Sequence, residues 1–420
     1  MATALALGPA DRRADLALCL GLAVAFAVWI QAAYGGRISA DLASLYIAAR
    51  LVDAGQWADV YWQGTGGASA GWLAEAQAAG ETVRAHTFLY PPLWPQALAP
   101  VAAALSPERF AALFLGLNTA AHLGSALLAW RLFDRPGPLW PWIATAAGMV
   151  PLTVIGGSAF FYNQPQPLLG VAILAGLWLA VTDRPHRAAL LFALAASVKI
   201  YPVLFAAIFV LRGQWAALAT AAAAGAALLA ASLAAGGLDA NLAYAALLAE
   251  LQGKISVAMN NLGLPGVLAH LQALLTGEAL PRANFVPGRG WIRAADLAVL
   301  AAGVALLALA GRGQPPAWWR QGAVPALFLL VSLAVPLAWT HYFTPALCLL
   351  PGLYVLLPAR RATLVAAAVL VPHSTAFFAG IAKPAASAGI YPLAGFPALA
   401  LLGVVFALAA RRRQRPTAPE

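Results

Sequence analysis

Three ionisable residues stand out in a chain that is otherwise apolar: Asp41, Lys199 and His341. Each lies close to the end of a long hydrophobic run. A carboxylate in such a place can act as a general base on a hydroxyl group, and a partly buried lysine can pair with a phosphate. Ionisable residues in or near a membrane are candidate functional residues by default. Together they predict a site where a hydroxyl group is activated beside a phosphate.

The same residues have simpler structural interpretations, which the sequence leaves open. Asp41 precedes LASLYIAARLVDAG, where apolar residues recur at helical spacing and Gly55 would end the helix. Asp41 could therefore be the N-cap of an amphipathic helix that lies in the membrane interface, a role that Ser39 could also fill. His341 could be an interfacial histidine in an aromatic belt, since aromatic residues flank it.

Eight further residues are candidates for substrate binding because they are polar or aromatic and are placed at the outer ends of membrane spans or in outer loops. They are Tyr90, His86, Arg84, Asn163, Gln164, Tyr201, Asn261 and Arg289. His86 and Arg84 also fit ordinary loop residues, whereas Arg289 would be a second phosphate partner. Polar groups gathered on one face are typical of a membrane enzyme or transporter.

The composition defines the class of protein that must position these residues. The hydrophobic fraction is 62%, charged residues make up 10%, and the mean hydropathy is +0.78. A soluble domain carries roughly 25% charged residues, so the chain is predicted to be an all-α polytopic membrane protein. The net charge of +10 is explained by arginine in cytoplasmic loops, and we predict no nucleic-acid partner.

Thirteen apolar runs follow one another along the chain. They cover residues 14–33, 88–105, 110–131, 139–157, 165–182, 188–200, 201–211, 215–236, 291–311, 321–338, 342–357, 361–380 and 391–410. Both termini carry arginines, which places both in the cytoplasm and requires an even number of spans. If 88–105 only dips into the outer interface, most arginines fall in short cytoplasmic loops. We therefore predict about twelve spans.

The predicted topology leaves two long outer segments, 34–109 and 237–290, attached to a single transmembrane domain that extends over residues 1–420. The 34–109 segment would hold juxtamembrane helices and the catalytic loop. Residues 188–211 form either two short helices or one bent helix, because Pro202 interrupts the run.

Several kinds of chemistry have no support in the sequence. It contains no P-loop, no GxGxxG after a strand, no HExxH, no GxSxG and no carboxylate cluster. Both cysteines, Cys19 and Cys348, lie in apolar runs and are predicted to be free thiols. We therefore predict no metal and no cofactor. An enzyme acting outside the cytoplasm without nucleotides needs an activated donor in the membrane, and a polyprenyl-phosphate sugar is one such donor.

Over about residues 15–350 the chain resembles glycosyltransferase family 87, in the GT-C superfamily of polyprenol-phosphate-dependent membrane glycosyltransferases, which includes mannosyltransferases. The resemblance is carried by DLASLYIAA from Asp41, YPPL at 90–93, NQPQPL at 163–168, AASVKIYP at 195–202 and WTHY at 339–342. The lysine segment is the most specific of these motifs. Asn163 stands where many members have glycine.

The resemblance implies a GT-C fold and a plasma-membrane enzyme with its active site on the outer face. Asp41 would be the catalytic acidic residue, and His341 would orient the donor or the acceptor. A hexose, with mannose the best-attested in the family, would pass with inversion from a polyprenyl-phosphate donor to a glycolipid or glycan acceptor.

Two other functions remain open at this stage. A transporter or flippase of lipid-linked sugars could use the same outer cluster as a binding site, although it would be expected to show internal repeats and polar residues through the midplane. A non-catalytic assembly partner in envelope biosynthesis could keep the fold, but it would be expected to lose the acidic residue.

Overall fold

The computed structural model describes residues 9–61, 68–80, 86–280, 285–384 and 389–413. Within these ranges the chain is mainly helical, as predicted. The helices are α1 (Pro9–Tyr34), α2 (Ala40–Asp53), α3 (Ala70–Ala78), α4 (Leu93–Ala104), α5 (Pro107–Leu132), α6 (Trp140–Leu152), α7 (Val154–Tyr162), α8 (Gln166–Val181), α9 (Pro185–Val198), α10 (Ala207–Leu211), α11 (Trp215–Gln252), α12 (Leu264–Thr276), α13 (Gly290–Gly311), α14 (Pro316–Trp318), α15 (Val324–Ala334), α16 (Thr344–Leu349), α17 (Gly352–Leu356), α18 (Ala359–His373), α19 (Thr375–Phe377) and α20 (Ile390–Arg413).

Shorter elements complete the described structure. The 3₁₀ turns are Trp57–Asp59, Tyr201–Ala206 and Thr340–Phe343, and the π-helical turns are Trp319–Ala323 and Phe378–Ala382. Strands β1 (Lys254–Ser256) and β2 (Phe285–Pro287) form an antiparallel ribbon in which Ile255 pairs with Val286. This ribbon lies in the predicted outer segment 237–290.

Five helices in the described ranges are long and apolar enough to cross a membrane: α1, α5, α11, α13 and α20. The pair α7 and α8, bent by 118° between them, raises the number to six if it counts as one span. Other predicted runs are divided into shorter helices. The run 139–157, for example, breaks where Thr153 adopts an extended conformation between α6 and α7. The count of twelve spans therefore stays a prediction.

The ambiguity over residues 188–211 is resolved in favour of two short helices. Helix α9 ends at Val198, and Lys199 is extended, with φ −137° and ψ 137°. The chain then turns through the 3₁₀ segment Tyr201–Ala206, with Pro202 near its start, into α10. A proline favours such a break because its ring excludes a continuous helix. The break places Lys199 directly after the end of α9.

Helix α4 contains the core of the run that we predicted not to cross. It has 12 residues, or roughly 18 Å of helix, against the ~30 Å of a hydrocarbon core. Its length therefore agrees with an interfacial element.

We predicted that α2 lies in the membrane interface as an amphipathic helix, but protein covers it on most sides. Ten of its 14 residues are buried, because α3, α4, the start of α5 and the end of α11 surround it in a separate hydrophobic cluster, which we call the outer core. Gly55 does follow the end of α2, with φ +74°. The outer core makes α2 a rigid support for Asp41 in its first turn.

A kink at Gly237 divides α11. Gly237 has φ 70° and ψ 179°, outside the helical region. The amide of Asn241 donates to the carbonyls of Ser232 and Gly237, and so pairs backbone groups at the kink. Gly236 allows close packing, since a Cβ there would lie 2.6 Å from Cβ of Pro92. The kink coincides with the predicted boundary between the span 215–236 and the outer segment.

Side-chain contacts identify the two ends of the helical bundle. Near the start of α1, the Asp15 carboxylate accepts from the backbone N–H groups of Leu139 and Trp140, in the turn between α5 and α6. Beyond the end of α1, the Ser39 hydroxyl donates to the carbonyl of Tyr162. Asp15 and Tyr34 are 19 residues apart on α1, or roughly 28 Å. We call these the Asp15 end and the Ser39 end.

Candidate active site

The carboxylate of Asp41 lies at the Ser39 end and is not needed to cap its helix. Ser39 is the N-cap of α2, and its hydroxyl accepts from the backbone N–H of Leu42. The interpretation of Asp41 as the cap is therefore wrong. The Asp41 side chain is 23% exposed, so it is accessible while its backbone is held in the outer core.

An amide side chain joins Asp41 to Lys199. The Gln164 side-chain nitrogen donates to Asp41 Oδ2 at 2.8 Å, and Gln164 Oε1 accepts from Lys199 Nζ at 2.6 Å. The negative and positive groups are thus linked through one neutral side chain. Sequence reasoning predicted all three residues as site residues, and the structure brings them together.

The position of Gln164 follows from a sharp turn between α7 and α8. Asn163 ends α7 in the left-handed region, with φ 47°, a conformation that asparagine tolerates better than most residues. Pro165 and Pro167 then start α8, where proline is favoured. The Asn118 amide donates to the carbonyl of Gln164 at 3.0 Å and fixes the turn from α5.

Lys199 is held by three oxygen acceptors and two aromatic rings. Besides Gln164, its ammonium donates to Gln166 Oε1 and to the Tyr342 hydroxyl, both at 3.3 Å. It also lies 4.8 Å from the ring centre of Tyr342 and 5.8 Å from that of Tyr90, within the range of a cation–π interaction. None of these partners carries a negative charge, so the lysine charge is not neutralised locally.

Tyr201 and Tyr342 form the wall beside Lys199. Their rings stack with centres 5.0 Å apart, and the Gln166 amide donates to the Tyr201 hydroxyl at 2.7 Å. The Tyr342 ring is buried, so the stacked pair closes one side of the space around the Lys199 ammonium. Tyr201 was a predicted site residue, and the structure places it there.

Tyr90 and His86 lie on the other side, in the segment that leads into α4. The backbone carbonyl of Tyr90 accepts from the Tyr61 hydroxyl at 2.7 Å, which ties this segment to the outer core. Burial, and then the negative charge of Asp41, raise the pKa of Tyr90 above its ordinary value, so the phenol stays protonated. His86 Nε2 is 3.9 Å from Asp41 Oδ1, and its side chain is 55% exposed.

His341 is buried beside the cluster and has no hydrogen-bond partner for either ring nitrogen among the described residues. Its ring lies 5.6 Å from that of Tyr162 and 5.2 Å from that of Tyr342. Leaving a buried polar group unpaired costs roughly 1–3 kcal/mol. A contact with Asp41 is not formed, so the two residues predicted to be catalytic are not a directly bonded pair.

Three predicted binding residues have structural partners instead. Asn163 donates to the carbonyl of Ala111 and accepts from Asn118. Asn261 donates to the carbonyls of Ser256 and Pro336, and fixes the loop between β1 and α12. Arg289 is exposed and pairs with Glu278 through both carboxylate oxygens. Arg84 lies outside the described residues.

Sequence reasoning missed Gln166 and Tyr342 as site residues, although both lie inside motifs that it used. Gln166 is two residues from Gln164, and Tyr342 follows His341 directly. Their closeness to Gln164 and His341 in the sequence could have indicated them as site residues. Only the fold shows that both contact Lys199.

The arrangement combines a proton acceptor, a cation and an aromatic wall in one place. Within the described part of the chain, no group of three or more His, Cys, Asp or Glu residues is suitably placed to hold a metal ion. The arrangement can activate a hydroxyl at one end and stabilise an anion at the other.

These features define a helical membrane protein with a polar cluster built between the outer core and the end of α9. A family model of glycosyltransferase family 87 matches residues 88–336, which is more than half of the chain. The protein belongs to glycosyltransferase family 87 and is a membrane glycosyltransferase, with a sugar donor and an acceptor as its substrates. No match was found among curated proteins.

The family match covers part of the cluster. It includes Tyr90, Gln164, Lys199 and Tyr201, whereas Asp41 and the segment around His341 lie outside it. The match is therefore narrower than the resemblance over residues 15–350. Any role for Asp41 and His341 must therefore be argued from their geometry, as a proposal.

Proposed function

We propose that the protein transfers a hexose from a polyprenyl-phosphate donor to a hydroxyl group of an envelope glycolipid or glycan, at the outer face of the plasma membrane. Mannose is the sugar that the family resemblance favours. The observation that carries the proposal is the amide bridge from Asp41 through Gln164 to Lys199. It holds a base and a cation at the two ends of one short side chain.

In the proposed reaction Asp41 removes the proton from the acceptor hydroxyl. The hydroxyl oxygen forms a bond to the anomeric carbon as the bond from that carbon to the phosphate oxygen breaks. The electron pair of the broken bond leaves with the lipid phosphate, whose charge Lys199 stabilises. Attack opposite to the leaving group inverts the anomeric centre. The protein's main contribution is to position the two reactants.

The surroundings of Lys199 support a role in phosphate binding. Its three oxygen partners are neutral, so a phosphate would replace neutral acceptors without first displacing a carboxylate. Charge-assisted hydrogen bonds are roughly twice as strong as neutral ones. The exchange therefore favours the phosphate.

His341 is proposed to contact the substrate. Its unpaired ring nitrogens lie beside the aromatic residues of the cluster, and a sugar hydroxyl or phosphate oxygen would supply the missing partner. This contact would orient the donor or the acceptor.

The test is label transfer by purified protein in lipid nanodiscs. Polyprenyl-phosphate mannose carrying a radiolabelled sugar is supplied with a crude envelope-lipid acceptor pool, and wild type is compared with Asp41→Asn. Transfer by wild type and its loss in the variant is the expected result. If wild type transfers nothing, other lipid-linked hexoses are supplied in turn.

The matched control is Asp53→Asn, at the other end of α2. Asp53 is exposed, and its ion-pair partner among the described residues is Arg50, so this variant should transfer label like wild type. Equal transfer by Asp41→Asn and wild type would reject Asp41 as the base. Failure of every hexosyl lipid to act as donor, with folded protein, would reject the polyprenyl-phosphate donor.

A further inference from the structure

A second polar cluster lies at the Asp15 end of the bundle, away from Asp41. It surrounds a cavity of about 370 Å³ between the turn after α5, the end of α8 and the π-helical turn 319–323. The lining residues are Arg131, Asp134, Arg135, Trp178, Thr182 and Arg320. The proposed glycosyl transfer uses none of them.

One acidic residue in this cavity is already fully engaged. Arg320 Nη2 donates to Asp134 Oδ1 at 2.8 Å, and the Gln321 amide donates to Asp134 Oδ2 at 2.8 Å. Among the described residues, Arg131 and Arg135 have no carboxylate partner. Three guanidinium groups and one carboxylate leave two positive charges in surplus.

The guanidinium groups are also held in place before any ligand binds. Arg131 lies over the ring of Trp178 at 5.8 Å, and Arg135 over the ring of Trp130 at 5.6 Å. Asp134 and Arg135 are both in the left-handed region, with φ 61° and 53°. Two consecutive non-glycine residues in this conformation are uncommon, and together they form the turn that carries Arg135.

Two of the arginines that line the cavity carry an unsatisfied hydrogen-bond donor. The Nε atoms of Arg131 and Arg320 are buried and have no hydrogen-bond partner in the described part of the chain. Buried donors are nearly always paired in proteins. Arginine donors arranged as a fork match the oxygens of a phosphate group.

Topology alone does not account for this arrangement. Arginines at the cytoplasmic surface set the orientation of a membrane protein through their charge. Exposed arginine side chains are sufficient for that role. That role requires neither buried Nε donors nor aromatic rings beneath the guanidinium groups. Basic pockets between helices on the cytoplasmic side are known to bind phosphorylated headgroups.

We propose that the cavity lined by Arg131, Arg135 and Arg320 binds a phosphate group, supplied either by the headgroup of an anionic lipid or by free inorganic phosphate. The site is separate from the proposed transfer site and belongs to the opposite end of α1. Its ligand is held by charge-assisted hydrogen bonds and takes no part in the reaction.

The test measures binding directly. Protein is reconstituted in phosphatidylcholine nanodiscs with or without phosphatidylglycerol, and the retained lipid is identified by native mass spectrometry. A titration with inorganic phosphate, read as the shift in the thermal unfolding midpoint, forms the second arm. Wild type, Arg131→Gln, Arg135→Gln and the control Arg312→Gln, an exposed arginine outside the cavity lining, are compared.

We expect the two cavity variants to bind about tenfold more weakly, because each loses one charged donor group, and the control to bind like wild type. Selective retention of phosphatidylglycerol supports the lipid source, and stabilisation by phosphate alone supports the free anion. Arg135 is exposed, so Arg135→Gln should fold normally. It therefore tests the proposal even if Arg131→Gln misfolds. Binding that is absent in wild type, or equal in all four proteins, would overturn the proposal, whatever the outcome of the transfer assay.

Discussion

The two ends of the bundle differ in how oppositely charged side chains are paired. At the Asp15 end, Asp134 and Arg320 form a direct ion pair at 2.8 Å. At the Ser39 end, Asp41 and Lys199 are kept apart by the Gln164 amide, which bonds to each of them. A direct pair occupies both charged groups with each other. A bridged pair leaves each charged group able to take another partner.

This difference fits the two roles that we propose, a binding surface at one end and a reactive site at the other. The cavity at the Asp15 end is lined by three arginines and one acid, Asp134, which is fully engaged, and this lining suits the binding of an anion. At the Ser39 end, Asp41 and Lys199 both bond to the neutral amide of Gln164, and His86 Nε2 lies 3.9 Å from Asp41. This arrangement suits the proposed reaction, in which a proton and a phosphate move in different directions. The following predictions test this contrast, from the largest effect to the smallest.

The largest effect should distinguish the two acids. Asp41→Asn should lower the initial rate of label transfer by about 100- to 10,000-fold, the usual contribution of a general base, while Asp134→Asn should leave the rate unchanged. Both rates are measured in the same nanodiscs at saturating donor. Similar losses in the two variants would remove the functional contrast between the ends.

Replacing the lysine should have the next largest effect. Lys199→Met keeps the aliphatic stem and removes the charge that stabilises the leaving phosphate, so transfer should fall by about 100- to 1,000-fold. Lys254→Met is the matched control, because Lys254 pairs with Glu250 and is not part of the cluster. The prediction fails if the two lysine variants transfer label equally well.

Loss of the bridge should cost less than loss of either charge. Gln164→Leu keeps Asp41 and Lys199 but removes what positions them, and a misplacement of about 1 Å lowers rates by about 100-fold. Gln166→Leu, which contacts Lys199 and Tyr201 but not Asp41, should lower the rate less. The measurement is the initial rate of label transfer by both variants. A larger loss in Gln166→Leu than in Gln164→Leu would show that Gln164 is not the positioning residue.

The smallest effect concerns the direct pair at the other end. Asp134→Asn breaks an ion pair whose acid is 46% exposed, so the unfolding free energy should change by about 1 kcal/mol or less. The freed Arg320 should strengthen binding of the phosphate group several-fold, measured as phosphatidylglycerol retained in the mass spectrum or as the thermal shift with inorganic phosphate. Asp183→Asn, in the adjacent turn after α8, serves as the control. Weaker retention in Asp134→Asn would show that the pair holds the cavity in shape.

Local signals in the sequence predicted much of the cluster. Pro202 and the charge of Lys199 indicated a break in an apolar run, and the acid after the first span indicated a base at a helix start. Such features are determined by residues close together in the sequence, so the sequence alone can predict them. For the same reason the sequence predicted Gly55 as a helix stop and residue 236 as the end of a span.

Tertiary contacts account for what the sequence did not predict. Asn163 and Asn261 have the residue type of a binding site, but backbone carbonyls from distant segments occupy their amides. Helix α2 is buried on most sides because the outer half of α11 closes over the outer core, which the periodicity of α2 cannot show. The Gln164 bridge likewise needs three distant segments to meet.

The kink at Gly237 also sets the rotational phase of α11. In an unbroken helix each residue rotates the following side chains by about 100° around the helix axis. The number of residues would then fix the direction of every side chain in the second half relative to the first half. Because Gly237 leaves the helical conformation, the phase is reset there. The part of α11 before Gly237 can therefore face lipid and neighbouring helices in its own orientation. The part after Gly237 keeps Tyr244 in contact with Tyr61, in the outer core that supports Asp41.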